Sequence, residues 1–171
     1  MCGIAGFWDR TADPASLATV ARRMGVAIAH RGPDDRDEFV DAEHGVALAH
    51  RRLSIIDLSP AGHQPMASHS GRYELVFNGE IYNFEELRRA LPAPVAWRGH
   101  SDTEVILACF DVWGVEATLN RLSGMFAIAV WDRSEHALTL ARDRFGEKPL
   151  YVGFAGPALL FGSELKALWA H

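Results

Sequence analysis

Met125-Phe126-Ala127-Ile128-Ala129-Val130-Trp131 is apolar on both of its alternating faces, and this pattern determines the layers of the fold. Successive side chains of a strand point to opposite faces, so this strand must be covered on both sides. The connection at 132–136 is too short for a crossover, and the strand predicted at 137–141 must therefore return antiparallel. An antiparallel sheet with two covered faces predicts an α+β fold, a four-layer α/β/β/α sandwich of two antiparallel sheets.

The remaining segments supply the other layers of this sandwich. Alternation and turn residues predict further strands at 3–8, 39–40, 46–49, 73–77, 150–154 and 159–162, with a short one around Trp97. Apolar spacing of three and four residues predicts helices from Pro14 to near His30, over 83–91, and from Ser101 through Trp113. Two pairs with capping-box spacing open the later helices: Asn83 with Glu86, and Ser101 with Glu104.

Composition narrows the class of function. The 171 residues are 49% hydrophobic and 23% charged, which predicts one soluble globular domain covering 1–171. A formal charge of -5 without a Lys/Arg run argues against nucleic-acid and membrane-surface partners. We find no signal-peptide pattern and no apolar run long enough to span a bilayer, so the expected location is cytoplasmic.

The two cysteines are expected to differ in reactivity. Cys109 lies in an apolar helical run, where a buried, unreactive thiol is expected. Cys2 follows the initiator Met1, which is removed in cells when the next side chain is small, leaving a thiol and a free α-amine on one residue. An amine with a pKa of about 7.7–8.0 can accept the thiol proton, so the nucleophile would carry its own base. In an arbitrary chain a cysteine at this position is an accident of sequence. Other residues must therefore supply the evidence that Cys2 is a nucleophile.

Three further groups of residues are candidates for catalysis or substrate binding, and each also has a purely structural interpretation. Arg51 and Arg52 end a strand and point to opposite faces, so only one can enter a pocket. The pair Asn78-Gly79 is typical of a hairpin turn, and Asp102 at a helix start is typical of a cap. The eight His show no metal-ligand spacing, and no phosphate-binding glycine loop is present, so neither a metal nor a nucleotide site is predicted.

Read together and in order, five segments resemble a class II glutamine amidotransferase domain, which has an N-terminal nucleophile hydrolase fold. The segments are Cys2-Gly3-Ile4-Ala5-Gly6, His30-Arg31-Gly32-Pro33-Asp34, Leu48-Ala49-His50-Arg51-Arg52-Leu53-Ser54-Ile55-Ile56-Asp57, Phe77-Asn78-Gly79-Glu80-Ile81-Tyr82-Asn83 and Ser101-Asp102-Thr103-Glu104. Within that class the arginine segment and three later segments resemble the glutamine-hydrolysing asparagine synthetase type. The later segments are Gly124-Met125-Phe126-Ala127, 141–151 and Ser163-Glu164-Leu165-Lys166-Ala167-Leu168.

The resemblance implies a mechanism for glutamine hydrolysis. Cys2 would attack the side-chain amide to give a γ-glutamyl thioester and ammonia, and water would release glutamate. The Asn78 side chain and the Gly79 backbone N–H would form the oxyanion hole.

The same resemblance implies how L-glutamine is held. Arg52, rather than Arg51, would bind its α-carboxylate, since a guanidinium fork matches a carboxylate. Asp102 would pair with the α-ammonium, and Glu80 would assist. Backbone groups of Leu53 and Ile55 would also contact the substrate. The segments 31–34 and 142–151 receive no chemical role; a structural turn is favoured for the first and a partner interface for the second.

The family also implies a partner that this chain lacks. An asparagine synthetase continues into a half that uses ATP and magnesium to activate aspartate, and that half would receive the ammonia. No cofactor is expected in the domain itself. The resemblance is compatible with several acceptors, since relatives also aminate targets other than aspartate, and it is compatible with an oligomer. The alternative is a catalytically silent module that binds glutamine or a partner. A retained Met1 would acylate the Cys2 amine and predicts an inactive form.

Overall fold

A computed structural model describes residues 1–55, 57–92 and 94–171; Ile56 of the arginine segment lies outside the described residues. The described strands, named in chain order, are β1 (Gly3–Trp8), β2 (Asp35–Asp41), β3 (Val46–Arg52), β4 (Met66–Ala67), β5 (Tyr73–Ile81), β6 (Gly124–Asp132), β7 (Ala137–Arg142), β8 (Tyr151–Ala155) and β9 (Ala158–Gly162). The described helices are α1 (Leu17–Ala27), α2 (Phe84–Ala90), α3 (Asp102–Trp113), α4 (Val115–Leu119) and α5 (Leu165–Trp169), with short 3-10 helices at Ala29–Arg31 and Pro60–Gly62.

The strands form two antiparallel sheets, as predicted. One has the order β2-β3-β1-β9-β8, and the other has the order β4-β5-β6-β7. β1 lies at the centre of the first sheet, where Gly3 pairs with Arg51 of β3. β5 pairs with β6 along its whole length, from Tyr73 opposite Asp132 to Ile81 opposite Gly124.

Three apolar layers hold the four structural layers together. The middle layer lies between the sheets and includes Ile4, Leu48, Val76, Ala129 and Phe161. One outer layer joins the four-stranded sheet to α2 and α3, and the other joins the five-stranded sheet to α1 and α5. The apolar alternation of β6 is explained by this arrangement, since one face enters the middle layer and the other faces α3.

Several local predictions were wrong or incomplete. The described residues around Trp97 form no strand; the Trp97 ring packs against the α2–α3 layer, with the guanidinium of Arg88 4.5 Å from its centre. The Asn83 side chain does not cap α2, because it accepts a hydrogen bond from Ser123 N at 3.0 Å. Helix α1 begins at Leu17, three residues after Pro14. The short elements α4, α5 and β4 were not predicted.

The helices of the described part are all short. The longest, α3, has 12 residues, and in the described part of the chain no helix has the length and apolarity needed to cross a membrane.

Candidate active site

The candidate site lies at one end of the sandwich, where three strands present their inner faces. Ile4, Leu48 and Val76 belong to the middle apolar layer. Because side chains alternate along a strand, Cys2, two residues before Ile4, extends the inward-facing row of β1. By the same alternation, Arg52 lies on the inner face of β3, four residues after Leu48, and Asn78 lies on that of β5, two residues after Val76. A bond from His50 Nε2 to Phe77 O at 3.1 Å joins the two sheets at this end.

The Cys2 thiol is partly buried and is held by the backbone of Leu53. Leu53 N donates to Cys2 Sγ at 3.3 Å, and the thiol lies 3.5 Å from Leu53 O. Burial raises the pKa of Cys2, although the Leu53 hydrogen bond and the positive charge of Arg52 oppose this effect. The thiol is therefore mostly protonated at neutral pH, and nucleophilic attack requires a base.

A pocket opens beside this thiol. The lining residues are Cys2, Arg52, Leu53, Ile55, Asp57, Gly62, Gln64, Phe77, Gly79, Ser101, Asp102 and Thr103. The set contains a thiol, a guanidinium and a carboxylate, which are three different chemical groups around one space.

Arg52 is 7% exposed and is fixed by the loop that follows β3. Its Nη1 donates to Ser59 O at 3.1 Å, and its Nη2 donates to Asp57 O. Arg51 points the other way and donates to Gly25 O of α1 at 3.0 Å. Of the two arginines only Arg52 lines the pocket, as strand alternation and the resemblance together predicted.

Asn78 and Gly79 lie inside strand β5, so they do not form a hairpin turn. The Asn78 side chain is 2% exposed, and its Nδ2 has no hydrogen-bond partner among the described residues. Asn78 itself is not among the pocket-lining residues, whereas its neighbour Gly79 is. A buried amide without a partner is uncommon, and it is the kind of group that a ligand can satisfy.

The direction of the Gly79 N–H follows from its neighbours on β5. Phe77 N and Ile81 N both bond to groups outside the β5–β6 pair, namely Gln64 Oε1 at 2.7 Å and Asp102 Oδ2 at 3.0 Å. Alternate N–H groups of a strand point to the same side, so the Gly79 N–H points to this side too. Phe126, opposite Gly79, bonds instead to Asp143 through both its N–H and its C=O. The Gly79 N–H therefore faces the pocket rather than β6.

Asp102 is 4% exposed and begins α3. The cap of this helix is Ser101, whose hydroxyl accepts from Glu104 N at 3.3 Å, so Asp102 is not the capping residue. Its two oxygens accept from Ile81 N and from Thr103 N. Burial raises the pKa of Asp102 to about 6, and the charge of Glu80 adds to this effect.

The remaining predicted contacts are distributed unevenly. Leu53 and Ile55 line the pocket, with Ile55 at its rim and 68% exposed. Glu80 is exposed and lies outside the pocket lining. Its effect on the site is electrostatic, because its negative charge helps to raise the pKa of Asp102.

Sequence reasoning missed several lining residues, of which Gln64, Gly62 and Thr103 are the most informative. Gln64 and Gly62 lie in the 59–70 segment, which the sequence predicted only as a loop. The sequence there shows only a glutamine directly before Pro65. Nothing in that pattern predicts that the Gln64 side chain contacts β5. Thr103 follows Asp102, and its burial (3% exposed) at a helix start was a signal that only the structure made visible.

Both segments without a predicted chemical role contain side chains that hold the local backbone, and the partner interface at 142–151 stays a prediction. Arg31 Nε donates to Cys2 O at 2.9 Å, and its Nη1 donates to Glu164 at 3.0 Å. Burial would raise the pKa of Glu164, but hydrogen bonds from Arg31, Lys166 and His30 hold it at about 2. In the 142–151 segment the Asp143 carboxylate accepts from several backbone N–H groups and shapes a tight turn. That Arg31 contact with Cys2 makes the first turn part of the support of the nucleophile.

Two antiparallel sheets between helices, with the thiol of Cys2 at the start of a central strand, define the N-terminal nucleophile hydrolase fold. The fold is shared with the Bacillus subtilis glutamine phosphoribosylpyrophosphate amidotransferase complexed with ADP and GMP. That structure superposes with a TM-score of 0.74 at 21% identity, over 99% of this chain and 43% of the other.

A family model described as "Glutamine amidotransferase domain" matches residues 1–171. The chain therefore belongs to the glutamine amidotransferase domain family, of the class II type found in glutamine-hydrolysing asparagine synthetases. It is 42% identical over 178 residues to asparagine synthetase [glutamine-hydrolyzing] 3 of Bacillus subtilis, covering 100% of this chain and 28% of that protein. It is 41% identical over 143 residues to amidase chry2 of Gibberella zeae, covering 84% of this chain and 21% of that protein. The chain thus spans less than a third of the length of these relatives.

Proposed function

We propose that this domain hydrolyses L-glutamine to L-glutamate and ammonia through a thioester on Cys2. The observation that carries the proposal is the pocket in which Cys2, Arg52 and Asp102 surround the inward-facing N–H edge at Gly79. A free amino acid with a side-chain amide offers a partner for each group: an electrophilic carbon, a carboxylate, an ammonium and a carbonyl oxygen.

The nucleophile requires that Met1 be removed. Met1 is 57% exposed, which leaves it accessible to an aminopeptidase. Its removal frees the α-amine of Cys2, and this amine takes the proton of a thiol whose raised pKa keeps it protonated. Nucleophile and base then belong to one residue, whereas a retained Met1 ties up the base as an amide.

The reaction proceeds in two balanced halves. The Cys2 sulfur bonds to the amide carbon while its proton moves to the α-amine; the C–N bond then breaks and that proton leaves with ammonia. Water attacks the thioester, gives its proton to the same amine, and releases glutamate with the thiol restored. The negative oxygen of each tetrahedral intermediate would bond to the Gly79 N–H and to the unpartnered Asn78 Nδ2.

The substrate is held at its other end by opposite charges. The guanidinium of Arg52 retains N–H groups beyond the two that bond to Asp57 O and Ser59 O, and these suit an α-carboxylate. The Asp102 carboxylate suits the α-ammonium. Leu53 and Ile55 would add backbone contacts, and Glu80 would act only through its charge on the rim of the site.

The ammonia would pass to an acceptor half of asparagine synthetase type, in the same polypeptide or a partner subunit. Support comes from the relatives named above, of which this chain covers less than a third. ATP and magnesium are assigned to that half alone, because hydrolysis of an amide by a thiol needs neither. Because one relative is named an amidase rather than an asparagine synthetase, the proposal includes acceptors other than aspartate.

Turnover by the matured chain tests the proposal. Mass spectrometry first establishes that Met1 is absent, and glutamate and ammonia are then measured with glutamine as substrate. We expect turnover, and we expect diazo-oxo-norleucine, a glutamine-like electrophile, to label Cys2. The variant Cys2→Ala should lose both, whereas Cys109→Ala should retain both, because Cys109 is buried in α3. A matured chain that binds glutamine without turnover or labelling would instead be the silent module.

The carboxylate assignment predicts an asymmetry between neighbouring arginines. Arg52→Lys should raise KM for glutamine about 10- to 100-fold, since a lysine cannot present two parallel N–H donors. Arg51→Lys is the matched control and should leave KM within about twofold, because Arg51 faces α1. Steady-state kinetics on both variants decides the assignment, and equal KM values for Arg52→Lys and wild type would discard it.

A further inference from the structure

Among the described residues, no strand pairs with one edge of β5 at the position of the candidate oxyanion donor. β6 pairs with β5 from Tyr73 to Ile81, but on the other side β4 pairs only through Met66 with Leu75 and Ala67 with Glu74. In the described part of the chain, the edge from Phe77 onward therefore depends on side chains for its hydrogen bonds.

Gln64 replaces the missing strand at Phe77. Continuing the β4–β5 register by two residues on each strand would place Gln64 opposite Phe77, but β4 begins at Met66 and does not extend that far. The amide of Gln64 takes over, since its Oε1 accepts from Phe77 N at 2.7 Å. On the same edge His50 Nε2 bonds to Phe77 O at 3.1 Å, so both polar groups of the Phe77 backbone are held.

The other end of the Gln64 amide reaches the opposite wall of the pocket. Its Nε2 donates to Thr103 Oγ1 at 3.3 Å. Thr103 follows Asp102 in the first turn of α3, and its N–H bonds to that carboxylate at 2.8 Å. Gln64 and Thr103 are 5% and 3% exposed, so solvent offers little competition for this bond. One side chain thus joins the strand of Gly79 to the helix of Asp102.

We infer that Gln64 is a positioning residue for glutamine hydrolysis: it sets the Gly79 N–H, two residues beyond Phe77, relative to the Asp102 carboxylate. This inference rests on the proposed function. Its Oε1 bonds to Phe77 N and its Nε2 to Thr103 Oγ1, so Gln64 acts through these two groups. A methionine at this position can make neither bond.

The test compares Gln64→Met with wild type in the matured chain. Methionine keeps the length of the side chain and loses both hydrogen bonds. We expect kcat for glutamine to fall about 10- to 100-fold, a part of what loss of an oxyanion donor costs, with KM within about threefold. Alkylation of Cys2 by iodoacetamide, which forms no oxyanion, should keep its rate within about twofold. A raised KM with unchanged kcat, or equal losses in both reactions, would overturn the inference.

Ser68→Ala is the matched control. Ser68 Oγ accepts from Tyr73 N at 3.3 Å, on the same edge of β5 but outside the pocket lining. We expect this variant to lose stability without changing kcat, since it removes an edge hydrogen bond of the same kind. A fall in kcat equal to that of Gln64→Met would show that general loosening of the strand is responsible, and the inference would fail.

Two further measurements cover failure of the variant or of the proposed function. If Gln64→Met does not fold, Thr103→Val, which removes the acceptor of Gln64 Nε2, should show the same split between kcat and KM; an unchanged kcat contradicts the inference. If wild type hydrolyses no glutamine, the proposed function fails, and hydrogen exchange decides the positioning role separately. The Phe77 amide should exchange at least about tenfold faster in Gln64→Met than in wild type. Equal rates would overturn the inference.

Discussion

Asp102 combines deep burial with a negative charge, and this combination makes its ionisation sensitive to ordinary pH. Its oxygens accept from Ile81 N and Thr103 N, yet burial still raises its pKa to about 6. The carboxylate is therefore ionised at neutral pH and becomes neutral as the pH falls through this value. A neutral Asp102 cannot pair with the α-ammonium of glutamine.

This predicts a pH-dependent affinity for glutamine. In Cys2→Ala, which should bind without turnover, Kd should rise about tenfold for each pH unit below about 6 and stay level from pH 7 to 8. Titration calorimetry between pH 5 and 8 measures it. Asp102→Asn in the Cys2→Ala background is the control; it should bind glutamine weakly, and its Kd should not change with pH below about 6. A Kd that is constant down to pH 5 in Cys2→Ala would contradict the pairing of Asp102 with the ammonium.

At single residues the sequence was informative where chemistry is visible in the side chain itself. Cys2, Arg52 and Asp102 were named in advance, and the structure places all three on one pocket. Gln64 was missed because its importance lies in two distant partners, Phe77 N and Thr103 Oγ1, which no local pattern encodes.

Among the elements, the loop between β3 and β4 is the wall that holds Arg52. The backbone carbonyls of Asp57 and Ser59 accept hydrogen bonds from the Arg52 guanidinium. The side-chain carboxylate of Asp57 accepts hydrogen bonds from His100 and Ser59, which lower its pKa to about 2. Gly62 lies so close to Arg52 Nη2 that a β-carbon there would overlap it.

Gly62→Ala should therefore displace the guanidinium rather than unfold the chain. The overlapping atom is the far end of a flexible side chain, so the free energy of unfolding should change by less than about 1 kcal/mol. KM for glutamine should rise about tenfold, because Arg52, the proposed partner of the substrate carboxylate, would move. Gly153→Ala is the control, since its nearest atom, Leu168 Cδ2, is 3.4 Å away, and KM should not change. Kinetics and urea unfolding of both variants check this; an unchanged KM in Gly62→Ala would refute it.

Element by element, strong local patterns predicted the structure and weak ones did not. The two-face apolar run predicted β6 and the layered fold, and the Ser101–Glu104 spacing predicted the start of α3. The predicted strand around Trp97 was wrong, because one large aromatic residue can pack against a core without pairing. The Asn83 cap was wrong because Ser123, 40 residues away, takes its side-chain oxygen.

Across the whole molecule, the middle apolar layer is what holds one sheet, with Cys2, against the other, with Asn78 and Gly79. Phe161 of β9 is fully buried in this layer, together with Ile4 and Trp131. Phe154 of β8 belongs to the same sheet but is 76% exposed.

Two truncations of the same kind should therefore differ widely. Phe161→Ala should lower the free energy of unfolding by about 3–5 kcal/mol, since it opens a cavity between the sheets. Phe154→Ala should change it by less than about 0.5 kcal/mol, as expected for an exposed side chain. Urea denaturation followed by circular dichroism measures both. Similar losses in the two variants would show that the layer between the sheets contributes no special stability.

The unpaired stretch of β5 has a consequence for how the protein behaves among other proteins. A bare sheet edge normally invites a foreign polypeptide to dock as an additional strand, which is a route to aggregation. Here the opening is a single peptide group wide, since Gln64 closes it on one side and Asp102 on the other. A carboxamide oxygen can enter this gap, but an extended backbone, which needs several consecutive partners, cannot.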